Sequence, residues 1–287
     1  INNYKIKNYI INTGQHFDDD MSNNFLKLYP KKYEIINFKL SQTNQTQRLS
    51  KIISLLDKKL SKLKFSLIIV YGDTDSTLAG VIACMKKNYK LMHIESGLRS
   101  DNLIMPEEKN RIIADNICDY LITPTKTAYE NLLKENINKD KIFNYGDVML
   151  DNIQYFKKII SKKKVSDILN LFSLKKNNYI YFSLHREANS NYIFINKIIS
   201  QLSKISKKVI WPMHPKFNKL IKKINIPSNL FIVKPLNFDE NFVIISNSLY
   251  VITDSGGVQK ESYFLNKKVL ILRKETEWLE LISNNNS

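Results

Sequence analysis

The chain has 287 residues, of which 43% are hydrophobic and 11% aromatic, and this composition excludes a disordered protein because disordered chains lack the apolar surface that offsets ordering entropy. Its formal net charge of +17 comes from lysines scattered over nearly every amphipathic segment, which argues against a nucleic-acid-binding patch. No apolar run approaches the roughly 20 residues that cross a bilayer, the N-terminus shows no signal-peptide pattern, and two cysteines exclude a disulfide framework, so we expect a cytoplasmic protein with no membrane partner.

Short β-rich segments alternate with helical patterns along the whole chain. In the first half the strand-like segments are NYIINTG, FSLIIVYGD, KLMHIES, YLITPT and KIFNYGD, and helical spacing marks STLAGVIACMKKN, EKNRIIADNIC and KTAYENLLKEN. The second half continues with NYIYFSLH, KVIWPMHP, NLFIVKP, LYVITDSGG and KKVLILR. Strands that alternate with helices imply right-handed crossovers and a parallel sheet. The sequence therefore predicts an α/β protein with two Rossmann-like domains.

We place the domain boundary in GDVMLDNIQYFKKII, where the first series ends, so that residues 1–149 form one domain and residues 150–287 the other. The chain starts at Ile1 and enters a strand almost at once, and from this we expect the first domain to lack its first strand and helix. Ligands of open parallel sheets bind at the carboxyl ends of the strands. The polar residues that follow the predicted strands are therefore the candidate functional residues.

Polar residues suited to acid–base chemistry follow the predicted strands of the first half. They are Gln15, His16, Asp73, Glu95 and Arg99 and, at the start of the next helix, Glu107, Glu108 and Arg111. Each also has a structural interpretation. Asp73 is a suitable helix cap, and Arg99 is a suitable partner for Glu95. The two glutamates follow a proline, where acidic residues complement a helix dipole. Their gathering at one side of the predicted sheet favours a functional role.

The second half places a similar set after its strands. Its members are His185, Arg186, His214, Ser255, Gly256, Gly257, Glu261 and Arg273. A glycine pair between a strand and a helix is either an ordinary turn or a phosphate cradle, because the start of a helix leaves N–H groups free. His214 is also interpretable as a turn histidine. Patterns of the types HExxH, CxxC, GxGxxG, GxxxxGKS and GxSxG are absent from the sequence, so it predicts neither a metal site nor an acyl hydrolase.

The ordered motifs TGQHFDD, YGDTDSTLAG, HIESGLRS, MPEEKNR, GDVMLD, LHREAN, MHP and TDSGGVQKES…LRKETEW resemble the non-hydrolysing UDP-N-acetylglucosamine 2-epimerase family over nearly the whole chain. The resemblance implies a bacterial isomerase that serves cell-surface polysaccharide synthesis. It implies two Rossmann-like domains facing a cleft, as in glycosyltransferases of the B type, and a homodimer with a UDP-sugar substrate and no cofactor. The family's final helices are expected to be missing from the second domain.

Functional residues are carried over from the family by motif. The catalytic carboxylates correspond to Asp73, Glu95 and Glu107, and the catalytic histidine corresponds to His185. The UDP-binding loop corresponds to Ser255, Gly256, Gly257 and Glu261, with further substrate contacts at Arg273, His214 and Arg111. A second, regulatory UDP-sugar site of some members corresponds to Gln15, His16 and Arg186.

The resemblance also implies a mechanism. A proton is taken from sugar C2, UDP leaves anti across C1–C2 to give a 2-acetamidoglucal, and UDP then adds back with a proton delivered to the opposite face. This chemistry needs a base, an acid on the other face and stabilisation of the departing diphosphate. Neighbouring carboxylates and an imidazole can hold different protonation states at neutral pH, because burial and nearby charges shift their pKa values in different directions.

Two positions leave the substrate open. Lys260 and Trp278 replace a glutamate and an arginine of the best-known epimerases, and this version resembles the branch with UDP-2,3-diacetamido-2,3-dideoxyglucuronate 2-epimerases. We rank UDP-N-acetylglucosamine first and the diacetamido sugar second. A UDP-sugar-dependent glycosyltransferase and an inactive UDP-sugar-binding fragment are the alternatives from other classes, and neither needs a set of proton-transferring residues.

Overall fold

The computed structural model of the chain describes residues 6–14, 33–40, 44–186 and 189–273. Within these ranges no helix is long and apolar enough to cross a membrane. The protein is α/β with parallel sheets, and the chain divides into two compact units, Ile1–Asp147 and Val148–Ser287. The predicted boundary after residue 149 falls in the first turn of the helix Val148–Ile159.

Strands and helices alternate in the described part of the first unit. Its strands are β1 (Asn8–Asn12), β2 (Tyr33–Asn37), β3 (Ile68–Tyr71), β4 (Leu91–Ile94), β5 (Tyr120–Thr123) and β6 (Ile142–Asn144). Its helices are α1 (Gln45–Leu60), α2 (Asp75–Met85), α3 (Pro106–Ile117) and α4 (Lys126–Lys134). Strands β1 and β2 form a two-stranded sheet, and β3 to β6 form a four-stranded sheet in sequential order.

Strand β2, with the sequence YEIIN, is absent from the predicted strands. It pairs in parallel with β1 from Asn8↔Tyr33 to Asn12↔Asn37. None of its residues is fully buried. Its sequence also lacks the apolar–polar alternation by which a half-buried strand is recognised.

Close packing of α2 against β3 fixes the end of β3. A Cβ on Gly80 of α2 would lie 2.8 Å from Cγ1 of Val70 in β3, so only glycine allows this approach. Around this contact the core contains Ile52, Leu91 and Leu121, each at most 2% exposed. The loop that follows β3 therefore starts from a rigid base.

The second unit has five strands and six helices in its described ranges. The strands are β7 (Tyr179–Ser183), β8 (Lys208–Pro212), β9 (Leu230–Val233), β10 (Tyr250–Thr253) and β11 (Lys268–Ile271). The helices are α5 (Val148–Ile159), α6 (Lys162–Leu171), α7 (Tyr192–Leu202), α8 (Asn218–Ile221), α9 (Phe238–Asn247) and α10 (Gly256–Phe264). The strands form one parallel sheet in the order β11-β10-β7-β8-β9.

This strand order creates a switch point between β7 and β10. The chain runs from β7 outward to β8 and β9, returns through α9, and continues outward on the other side with β10 and β11. Ligands of open α/β sheets bind beyond the carboxyl ends of the strands at such a point. All five residues of β7 are buried, and alternate residues pack into two core clusters, with Phe182 against Trp211 at a ring-centroid distance of 5.0 Å on one face.

Candidate active site

The loops after β3 and β4 bring two of the predicted carboxylates together. Asp73 follows β3 through Gly72, and Glu95 follows β4 directly. The two strands are paired as far as Tyr71↔Ile94, so both loops leave the sheet at the same edge. Gly72 and Glu95 have positive φ angles of 67° and 73°, and a Cβ on Gly72 would lie 3.6 Å from Oε2 of Glu95. The Glu95 carboxylate therefore lies beside the backbone that carries Asp73.

Helix α3 holds Asp73 in place through Arg111. The buried guanidinium forms an ion pair with Asp73 through Nη2 and with Glu108 through Nη1, the latter at 2.7 Å. Asn110 Nδ2 donates to the carbonyl oxygen of Asp73 at 2.9 Å. Thr74 is the N-cap residue of α2, so the interpretation of Asp73 as a helix cap is wrong.

The two glutamates in the first turn of α3 have different environments. Glu108 is 1% exposed, and both of its carboxylate oxygens accept from the backbone N–H of Ser100 at 3.0 Å. It is Glu108 that pairs with Arg111, whereas Glu107, the predicted catalytic residue, is exposed. Glu108 thus fixes the loop after β4 to α3, and Glu107 is the glutamate of this pair that faces solvent.

A buried network lies next to these loops and joins them. Oδ1 of Asp115 is 2.7 Å from Nδ1 of His93, whose Nε2 is 2.8 Å from the carbonyl oxygen of Gly72. Oδ2 of Asp115 accepts from the backbone N–H of Gly97 at 3.1 Å and from Arg99 at 2.8 Å. A single carboxylate in α3 therefore ties the loop before Asp73 to the loop after Glu95.

Arg99 pairs with carboxylates other than Glu95. Its Nε donates to Glu135 at 2.6 Å and its Nη1 pairs with Asp115, so the structural pairing considered for Arg99 and Glu95 is wrong. Glu95 instead acts on Tyr71 at the end of β3. Partial loss of solvent, followed by the charges of Glu95 and Asp147 and a hydrogen bond to Glu95, raises the pKa of the Tyr71 phenol. At neutral pH the phenol therefore keeps its proton and donates a hydrogen bond to this carboxylate.

In the second unit His185 follows β7 and lies next to the end of β10. The backbone N–H of His185 donates to Oδ1 of Asp254 at 2.8 Å, and that of Arg186 donates to Oδ2 at 3.1 Å. Although His185 is exposed, partial loss of solvent around its ring lowers its pKa from 6.5; Asp254 opposes this shift, and His214 and Lys216 add to it. At neutral pH the imidazole is therefore mostly neutral and able to accept a proton.

His214 follows β8 and caps the short turn Pro215–Phe217. Its Nδ1 accepts from the backbone N–H of Lys216 at 3.1 Å. This hydrogen bond places the proton of the neutral ring on Nε2, which is then a donor. The Nζ of Lys216 donates to the carbonyl oxygen of His185 at 2.7 Å. His214 thus has the turn role considered for it, while its Nε2–H is suited to an anionic ligand.

The segment Ser255-Gly256-Gly257 starts helix α10. Ser255 is the N-cap, with Oγ accepting from Val258 N at 3.4 Å, and its own N–H donates to Thr253 Oγ1 at 3.0 Å. The first N–H groups of any helix have no partner within it. Among the described residues, a Cβ on Gly257 would meet just Oγ of Ser255, at 3.8 Å. Packing against the described residues does not require this glycine, and the N–H groups at a helix start suit a diphosphate.

Glu261 lies further along α10, beyond the glycine pair. Burial raises the pKa of its carboxyl to about 7, and the neighbouring buried Lys260 lowers it. Burial and the charge of Glu261 also raise the pKa of Tyr181 in β7. Arg273, after β11, donates from Nη2 to Oε1 of Gln259 at 3.1 Å. Beyond its glycine pair, helix α10 therefore carries the carboxylate of Glu261 and the buried amide of Gln259, which accepts from Arg273.

Two buried carboxylates that organise these loops, Asp115 and Asp254, are absent from the predicted site residues. Asp115 lies four residues after Arg111 on the buried face of α3, and a charged residue on such a face is a readable signal. Gln15, His16 and Trp278 lie outside the described residues. In the ranges given above, no three His, Cys, Asp or Glu side chains are grouped so as to hold a metal ion.

Comparison with known sequences gives one consistent family. The family model described as UDP-N-acetylglucosamine 2-epimerase matches residues 1–287. A UDP-N-acetylglucosamine 2-epimerase homolog from Methanococcus maripaludis is 38% identical, over 95% of this chain and 78% of its own length. A UDP-2,3-diacetamido-2,3-dideoxy-D-glucuronate 2-epimerase from Pseudomonas aeruginosa is 34% identical, over 96% of this chain and 77% of its own length.

Comparison with solved structures confirms the predicted α/β fold class. The crystal structure of the Methanocaldococcus jannaschii UDP-GlcNAc 2-epimerase in complex with UDP-GlcNAc and UDP has a TM-score of 0.84 and 31% identity, and the match covers 96% of this chain and 79% of that one. The UDP-GlcNAc-bound enzyme from Neisseria meningitidis has a TM-score of 0.85 and 28% identity, covering 92% and 75%.

Proposed function

Because the chain belongs to the UDP-N-acetylglucosamine 2-epimerase family, as its motifs predict, we propose that it interconverts UDP-GlcNAc and UDP-ManNAc for cell-surface polysaccharide synthesis. The observation that carries the proposal is the end of β10, where helix α10 starts at the glycine pair beside β7, the strand that His185 follows. An anion cradle next to a neutral imidazole suits a reaction that expels a diphosphate and moves protons.

The proposal assigns UDP to the second unit. The first-turn N–H groups of α10 hold the diphosphate, since the positive end of the helix dipole favours a divalent anion. The Nε2–H of His214 and the guanidinium of Arg273 add donors to the same ligand. Glu261, when ionised, accepts from the ribose hydroxyls, and those hydrogen bonds compensate the cost of its buried charge.

The proton transfers are assigned to Asp73, Glu95, Glu107 and His185. Arg111 forms an ion pair with Asp73 and so fixes the position of its carboxylate. The phenol of Tyr71 donates to Glu95, so the two neighbouring carboxylates have different surroundings. Different surroundings let one group act as a base while another acts as an acid.

The proposal is tested by incubating the protein with UDP-GlcNAc and following UDP-ManNAc by NMR. We expect the epimer to form without a metal supplement, and we expect His185→Gln and Asp73→Asn each to slow it by about 10²-fold to 10⁴-fold, as for the loss of a general acid or base. Glu130→Gln is the matched control, since this glutamate is exposed and, within the described residues, forms an ion pair with Lys126 alone, at 3.6 Å. Full activity in both site variants would contradict the assignment.

A second substrate is supported by the relative from Pseudomonas aeruginosa and by Lys260. That relative is 34% identical, and Lys260 is a buried cation next to Glu261, which suits a substrate with more negative charge. Parallel assays with UDP-GlcNAc and UDP-2,3-diacetamido-2,3-dideoxyglucuronate compare kcat/KM for the two. A larger value for the uronate would make it the physiological substrate class.

Three further properties remain proposals. We propose a homodimer, to be measured by light scattering of the purified protein, and a cytoplasmic location, to be measured by cell fractionation.

We also propose that Gln15, His16 and Arg186 contact a regulatory UDP-sugar. A regulatory site predicts that small amounts of UDP-GlcNAc accelerate the reverse reaction, and that Arg186→Met removes this acceleration.

A further inference from the structure

Asp254 is a fully buried carboxylate at the end of β10, directly before the Ser255-Gly256-Gly257 cradle. It is 0% exposed. Its oxygens accept from the backbone N–H of His185 at 2.8 Å, from that of Arg186 at 3.1 Å and from Nδ2 of Asn189 at 2.8 Å. A buried carboxylate is costly unless hydrogen bonds compensate its desolvation. These three donors supply that compensation.

The identity of the donors indicates what the carboxylate does. Two of them are backbone N–H groups of the segment that carries His185, so the carboxylate fixes the backbone of that segment. The third donor, Asn189, also donates to the carbonyl oxygen of Leu272 at 3.2 Å. One carboxylate therefore connects the ends of three strands, β7, β10 and β11, at the switch point of the sheet.

We propose that Asp254 is a positioning residue that holds His185 in register with the anion cradle. The inference rests on the proposed function, in which His185 transfers a proton. The carboxylate acts through the backbone, since it bonds the N–H of His185 and the residue after it. Asp254 directly precedes Ser255, so the residue that bonds the His185 backbone is also the residue that leads into the cradle. The distance between His185 and the cradle therefore depends on this one residue.

Electrostatics give Asp254 a second effect on the same residue. The charged and titratable groups that act on His185 are Asp254, His214 and Lys216. Desolvation and the two basic residues lower the pKa of the imidazole, and Asp254 is the group that raises it. Removing the negative charge must therefore move the pKa of His185 further down.

The test is Asp254→Asn, which keeps the shape of the side chain. It replaces one carboxylate oxygen with an NH₂ group, which cannot accept a hydrogen bond from a backbone N–H. We expect kcat for epimerisation to fall by about 10²-fold, the effect of misplacing a reacting group by about 1 Å, while KM changes by less than about threefold. The His185 imidazole, one of four histidines in the chain, should titrate at lower pH by NMR, with its signal assigned from His185→Gln.

The control is Tyr179→Phe in the same strand, β7. It removes a buried hydrogen bond from the Tyr179 hydroxyl to the carbonyl oxygen of Ile244, so it lowers stability without touching the loop, and kcat and the titration should stay unchanged. Asn189→Ala keeps the charge of Asp254 and removes one donor, and it substitutes for Asp254→Asn if that variant does not fold. Asn189→Ala should lower kcat, while the charge of Asp254 should still raise the pKa of His185.

An unchanged kcat together with an unchanged His185 titration in the folded variants would overturn the inference. The titration needs no turnover, so it is informative even if the wild-type protein fails to epimerise UDP-GlcNAc. Failure of wild-type turnover would overturn the proposed function. Normal turnover in both the wild type and Asp254→Asn would overturn the positioning role alone.

Discussion

Replacing Glu261 by Gln is expected to stabilise the unliganded protein and weaken its binding of UDP. Burial raises the pKa of this carboxyl from 4.5 to about 7. At about 1.4 kcal/mol per pKa unit, ionising Glu261 in the folded protein costs roughly 3 kcal/mol relative to ionising it in the unfolded chain. Glutamine has nearly the same shape and no charge, so it removes this cost.

The sign of the effect depends on pH. A carboxyl whose pKa is raised by folding contributes full stability below its unfolded value of 4.5, and that stability is lost as pH rises through about 7. The wild type and Glu261→Gln should therefore unfold alike at about pH 4, and the variant should be more stable by up to roughly 3 kcal/mol at about pH 9.

The assay is urea unfolding followed by circular dichroism at half-unit pH steps, with UDP affinity measured by calorimetry at neutral pH. Glu130→Gln, at an exposed position paired only weakly with Lys126, should change the free energy of unfolding by less than about 1 kcal/mol at every pH. A stability difference between Glu261→Gln and wild type that does not change with pH would refute the reasoning. So would an undiminished affinity of the variant for UDP, because the buried carboxylate would then have no ligand to compensate its cost.

Three further outcomes are expected. Gly97→Ala should lower the free energy of unfolding by about 3 kcal/mol or more in urea titrations, because Gly97 has a φ of +78° and its new Cβ would lie 2.2 Å from a carbonyl oxygen of α4. Arg111→Lys should lower kcat/KM for UDP-GlcNAc at least about tenfold with little change in circular dichroism, since an ammonium group cannot reproduce the forked pairing that holds Asp73. Burial raises the pKa of Cys84 to about 11 and that of Cys118 to about 12, so both thiols should resist a thiol reagent at about pH 8 in the native protein and react once urea unfolds it.

The sequence predicts the elements whose burial is strong. The run IYF of β7 and the run VIW of β8 are fully buried in a central position, and such apolar runs bounded by polar turns are legible in a sequence. Strand β2 is half-exposed and, among the described strands, pairs with β1 alone, so its formation depends on a partner that precedes it and not on its own pattern. The family could be recognised in the sequence because its motifs lie at strand ends, where ligand binding and catalysis determine the residue types.

The partners of the site residues were not predictable in the same way. Arg111 meets Asp73 across 38 positions of sequence, and Asp254 meets His185 across 69. Such pairs depend on strand order, which the alternation of strands and helices does not determine. The two wrong interpretations, of Asp73 as a cap and of Arg99 as a partner of Glu95, both chose a neighbour in sequence where the fold supplied a distant one.

The central claim is that this protein removes and returns the proton at C2 of a UDP-sugar, and the direct measurement is isotope exchange at that carbon. UDP-GlcNAc is incubated with the full protein in D₂O, and recovered substrate and product are analysed by NMR and mass spectrometry. We expect UDP-ManNAc with one deuterium at C2 and, as the reaction approaches equilibrium, the same label in UDP-GlcNAc. Recovery of UDP-GlcNAc with hydrogen at C2 and no epimer, or an epimer without deuterium, would contradict it.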